Sequence, residues 1–72
     1  MESDRLAWLG SNIKILRKKQ GISQENLAHM SGVDRSHMGF IERGKQNPTI
    51  LTLFQIADAL GVLPGSLLKG VE

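Results

Sequence analysis

The segment from Ser23 to Gly44, SQENLAHMSGVDRSHMGFIERG, constrains this chain more than any other, because it packs two helix starts and a helix stop into a short span. Ser23 can cap a helix by accepting a free backbone N–H, with Gln24, Glu25 and Asn26 as the first turn. Gly32 offers the left-handed conformation that ends a helix sharply, and Asp34, two residues on, is a second N-cap. Leu27 and Met30, three apart, predict the inner edge of the first of these helices, and Ala28 sits where the second can cross closely. In the second, Arg35 to Arg43, the inner positions are Met38 and Ile41. At about 100° per residue the opposite face carries Ser36, Gly39, Phe40 and Arg43, flanked by Arg35 and His37. Two short helices, a tight turn and a polar outer face read together as a helix-turn-helix whose outer face is available for contact.

The rest of the chain reads as support. Leu6, Leu9, Ile13 and Leu16 recur at steps of three and four, which predicts a first helix capped by Ser3 or Asp4 and running to Gln20. Gly10 interrupts that stripe at up to about 1 kcal/mol relative to alanine, so Ser11 is an alternative start. Trp8 and Ile15 point away from the stripe, either to be covered by a neighbouring segment or to meet a partner. Lys14, Lys18 and Lys19 are most simply a solvated face. After a polar loop from Lys45 to Pro48, Thr49 caps a helix Ile50–Leu60 with Ile50, Leu53, Phe54, Ala57 and Leu60 on its main face and Leu51 and Ile56 elsewhere; a helix apolar on more than one side is expected to be central. Gly61 ends it, and Pro64 opens a last short helix through Leu68. The expected fold is all-α, a compact bundle of five short helices forming one domain over residues 1–72, with the motif at 23–44.

Composition narrows what such a domain can do. With 72 residues, 40% of them hydrophobic, it lies near the lower limit for folding alone, so self-association is expected to help it. The absence of cysteine excludes a disulfide framework and a thiolate metal site. No apolar run approaches a membrane span, and MESDR lacks the apolar core of a signal peptide, so a cytoplasmic location is expected. Residues 1–46 hold eight Lys/Arg against five Asp/Glu, a net +3, whereas residues 47–72 net −1. The positive charge therefore gathers around the motif, as a phosphate-facing surface needs, although a small surplus of lysine also serves solubility. His29 and His37 are the only histidines and lack HExxH spacing or acidic support. Neither an enzyme, a metal, a cofactor nor a small-molecule ligand is expected.

The motif resembles the helix-turn-helix of the phage repressor and Cro family. The matching residues are Gln24, Leu27-Ala28, Gly32-Val33, Met38, Ile41 and Glu42-Arg43-Gly44, and outside them Leu16-Arg17, Gly21-Ile22-Ser23, Asn47-Pro48-Thr49 and Ile56-Ala57-Asp58-Ala59-Leu60-Gly61-Val62. The likeness spans roughly residues 9 to 68. Ser31 is more polar than the family often has there, and Leu63 stands where a capping serine is common. The resemblance implies a partly buried ion pair between Arg17 and Glu42, where the residues alone leave two independent surface charges as the alternative. It also implies that Leu63, Leu67 and Leu68 both close the core and meet a second subunit, within a dimerisation region of about 50–68.

These readings converge on a sequence-specific double-stranded DNA-binding transcriptional regulator acting as a homodimer on a pseudo-palindromic operator. Base edges are assigned to Arg35, Ser36, Gly39 and Phe40: an arginine can hold guanine O6 and N7 together, and Phe40 can pack on a thymine methyl. Gly39 either permits close approach or is merely tolerated. Phosphates are assigned to Gln24, His37, Arg43, Lys45, Gln46 and Asn47. DRSHMGFIERG in a bare domain of this length resembles the controller proteins of restriction-modification systems, with small phage repressors and Cro-like proteins as relatives of the same architecture. Repression or activation follows from operator position, and RNA polymerase is a candidate partner. The reading from a different class is a protein-interaction module, such as an antitoxin-like partner, using exposed Phe40, Trp8 and Ile15.

Overall fold

The computed structural model describes residues 2–71, which form five helices and no strand: α1 Glu2–Lys19, α2 Gln24–Ser31, α3 Arg35–Glu42, α4 Ile50–Leu60 and α5 Pro64–Leu67. The ends lie where local chemistry puts them. The hydroxyl of Ser23 accepts from Asn26 N–H, the Asp34 carboxylate accepts from the N–H groups of Ser36 and His37, and Thr49 accepts from Thr52 N–H. At the close of α2, Gly32 takes φ 71°, and the next amide, of buried Val33, donates to Ala28 O at 3.0 Å. The same six-to-one bond closes α1, α3 and α4, from Ile22 to Arg17, Lys45 to Phe40 and Val62 to Ala57.

α1 starts at Glu2, so Ser3 and Asp4 fall within the helix and not ahead of it; Met1 and the side chains of Glu2 and Ser3 lie outside the described residues. It passes through Gly10 unbroken, because Gly10 is where α1 crosses the end of α3. A Cβ at Gly10 would run into the backbone carbonyls of Ile41 and Glu42, and one at Gly44, already at φ +72°, would lie 2.7 Å from Ala7 Cα. Packing at this crossing outweighs the helix penalty of about 1 kcal/mol for glycine.

The core is one cluster drawn from every helix: Leu9 and Ile13 of α1, Leu27 and Ala28 of α2, Met38 and Ile41 of α3, Leu53, Ile56, Ala57 and Leu60 of α4, and Leu67 of α5, with Val33 from the turn. α2 packs on α4, and α1 on α3 and α5. Three expected inner positions, Met30, Ile50 and Phe54, are exposed. Met30 is exposed and the neighbouring Ser31 is buried instead, its hydroxyl donating back to Leu27 O at 2.7 Å, which satisfies the only polar atom it brings inside. On α4, Ile56 is fully buried while Ile50 and Phe54 join Leu51 in the exposed set. α4 is apolar on two sides, so periodicity alone does not tell which side faces inward.

Candidate nucleic-acid interface

α3 is fixed at both ends before its outer face is considered. At its start the Asp34 cap aligns the first turn; at its end the Glu42 side chain is 2% exposed and receives Arg17 through two parallel bonds, Nε to Oε2 at 2.7 Å and Nη2 to Oε1 at 2.9 Å. Arg17 Nη1 donates to Ile22 O at 2.9 Å, and Gln24 Nε2 donates to Glu42 Oε1 at 3.1 Å. The ion pair thus gathers α1, the loop before α2, the first residue of α2 and the last of α3. Bidentate geometry, with each of the three guanidinium nitrogens donating, is the condition under which a buried ion pair is tolerated, and its main effect is to fix an angle between elements.

With α3 held this way, Arg35, Ser36, Phe40 and Arg43 stand exposed around a shallow depression floored by buried Gly39 and walled on its far side by Gln24. All four residues expected to read bases are therefore brought together. Gly39 is accounted for by its neighbours: a Cβ there would sit 3.3 Å from Arg43 Nη1 and 3.4 Å from Gln24 Oε1, so the glycine leaves room for those two side-chain ends. The Arg43 guanidinium lies over the Phe40 ring, 5.0 Å from its centre, a cation–π contact. Lys45, Gln46 and Asn47 are exposed on the loop beyond α3, while Pro48 is buried and anchors it.

Three sequence assignments change. His37 is half-buried, with Nε2 covered and without a hydrogen-bond partner, because one turn later the same edge of α3 carries buried Ile41; that nitrogen does not reach a phosphate in this conformation. Gln24, expected to meet a phosphate, has its amide NH2 turned inwards to donate to Glu42 Oε1. Leu67, expected at a subunit interface as well as in the core, is 0% exposed and belongs to the core alone; Leu63, at 79%, and Leu68 remain exposed. What the sequence reading missed is the group Ile50, Leu51 and Phe54, exposed together on the outer side of α4. The signal was the surplus of apolar residues on that helix.

Trp8 and Ile15 are more than half exposed. The Trp8 indole donates to Lys69 O at 3.1 Å, and Asn12 Nδ2 donates to Leu67 O and Lys69 O, both at 2.9 Å, which moors the segment after α5 onto α1. Among the described residues no helix is long and apolar enough to cross a membrane, and no group of three or more His, Cys, Asp or Glu is placed to hold a metal ion.

A capped supporting helix, a glycine turn and a second helix pinned at both ends with its outer face open define a helix-turn-helix unit. The sequence model described as helix-turn-helix matches residues 13–67, and the chain belongs to this family of DNA-binding transcriptional regulators. It is similar to the uncharacterized HTH-type transcriptional regulator y4dJ of Sinorhizobium fredii, 43% identical over 54 residues that cover 75% of this chain and 70% of that protein. It is also similar to control protein C.SmaI of Serratia marcescens, 38% identical over 60 residues that cover 83% of this chain and 71% of the other. Among solved structures, the restriction-modification controller protein C.AhdI of Aeromonas hydrophila superposes with a TM-score of 0.85 at 40% identity, covering 86% of this chain and 94% of that one. Of two longer matching regulators the chain spans only 38% and 31% of the length.

Proposed function

We propose that this chain is a sequence-specific regulator that binds double-stranded DNA as a symmetric homodimer, with α3 in the major groove. The observation that carries the reading is the assembly of Arg35, Ser36, Phe40 and Arg43 around Gly39 on a helix held at both ends. Arg35 lies at the helix start, which enters a groove first, and is the residue suited to a guanine; Phe40 offers its ring to a thymine methyl, with Ser36 between them. Arg43, Lys45, Gln46 and Asn47 border that face and supply phosphate contacts, which provide most of the affinity and its salt dependence.

A single α3 spans too few base pairs to discriminate among a genome's competing sites, so two copies are required. The second copy is placed on the outer side of α4, where Ile50, Leu51 and Phe54 are exposed, with Leu63 following on the less basic half of the chain. Within a single domain over 1–72 this reading keeps the dimerisation region at about 50–68 and leaves out buried Leu67. Similarity to C.SmaI and C.AhdI supports a controller role in a restriction-modification system, carried out in the cytoplasm. The proposal includes no catalytic step.

Selection of bound duplexes from random DNA tests it. The expected product is a pseudo-palindrome with half-site centres about one helical turn, roughly 10 base pairs, apart. Recovery of duplexes with no common sequence would overturn it.

A further inference from the structure

The Gln24 carboxamide has a fixed polarity, and the reason is buried. Glu42 is paired through both oxygens with Arg17, so it is an acceptor at every position, and the only end of the Gln24 amide that can face it is the NH2 group. Reversing the amide would set a carbonyl oxygen against a desolvated carboxylate. The carbonyl Oε1 is therefore turned outwards, over Gly39, where it lies 3.4 Å from the position of the missing Cβ in the wall of the α3 depression. An outward carbonyl oxygen repels a phosphate oxygen and accepts from a donor.

We infer that Gln24 is a specificity residue: held by Glu42, it presents an acceptor on the edge of the α3 face that takes an exocyclic amino group of a base, adenine N6 or cytosine N4, in the major groove. Those two amino groups are the donors that the major groove offers, one from adenine and one from cytosine. The inference rests on the proposal that the α3 face reads DNA. It explains the glycine at 39: a side chain there would cover the carbonyl oxygen. Glu42 is a positioning residue in this scheme, acting on the base through Gln24.

The test uses the preferred duplex from the random selection, with each adenine replaced in turn by purine and each cytosine by pyrimidin-2-one, analogues that lack the amino group. Wild-type protein and Gln24→Met, which keeps length but lacks the acceptor, are titrated against every duplex. At one position in each half-site, loss of the amino group is expected to weaken wild-type binding roughly threefold to tenfold, the worth of about one hydrogen bond, and to weaken Gln24→Met no further. The wild-type titrations need no variant to fold, and thermal melting confirms that Gln24→Met does. If amino-group removal affects both proteins equally at every position, or if Gln24→Met loses affinity uniformly over all duplexes, the inference is overturned while the DNA-reading proposal stands. If the selection returns no preferred duplex, both fall.

Discussion

Phe40 on α3 and Phe54 on α4 are exposed to almost the same degree, 45% and 46%, yet they stand in opposite surroundings. Phe40 is stacked beneath the Arg43 guanidinium and sits among Arg35, Ser36 and the Gln24 amide. Phe54 shares its helix side with Ile50 and Leu51. An aromatic ring in a cationic, hydrogen-bonding frame suits a partner that is charged and offers base edges. A ring among aliphatic side chains suits a surface like itself. The two helices are alike in being half core and half surface, so their division of labour lies in what accompanies the phenylalanine.

A charge placed on an inner residue has a larger effect than one placed on an outer residue. Leu67 and Leu51 both lie in the C-terminal half, but Leu67 is fully buried and Leu51 is 67% exposed. Leu67→Asp removes a core side chain and buries a carboxylate, so it is expected to lose at least about 4 kcal/mol and much of the helical circular dichroism. Glu42→Ala is expected to cost about 3–5 kcal/mol in denaturant unfolding, since it strands Arg17 in the interior. The same change in an Arg17→Ala background should cost far less, and additive losses would mean that the pair does not anchor α3.

A smaller effect sharpens the contrast between the helices. Leu51→Asp should leave helicity intact, move the protein towards monomer in sedimentation and weaken operator binding at least tenfold, with little change on random DNA. A variant that stays dimeric places the interface elsewhere, and Trp8 with Ile15 becomes the next surface to alter. The mildest change is Lys45→Ala, which should lower the slope of log affinity against log salt by about one unit without altering sequence preference. An unaltered slope removes Lys45 from the interface.

Much of the helix-turn-helix was legible in the residues because it is made by local chemistry. Ser23, Gly32, Asp34 and Thr49 fix helix ends through bonds that span a few residues, and the Asp34 cap sets where α3 starts and so which residues share its outer face. What was not legible depends on distant neighbours. Gly10 looks like a helix breaker until the carbonyls of Ile41 and Glu42 are seen against it. The exchange of Met30 for Ser31, and of Phe54 for Ile56, is a rotation that only packing decides, since a hydroxyl can satisfy itself on its own helix and an apolar side chain suits either an interior or an interface. The orientation of Gln24 was hidden for the same reason, because it is set by a carboxylate eighteen residues away.

Whether the outer face of α3 reads base sequence is decided by titrating Arg35→Ala against the selected duplex and all its single base-pair variants. A bidentate arginine–guanine contact predicts a loss of roughly 1–3 kcal/mol on the parent duplex that vanishes on duplexes already altered at one base pair of each half-site. A loss of the same size on every duplex would contradict the claim and make Arg35 a contact to phosphate.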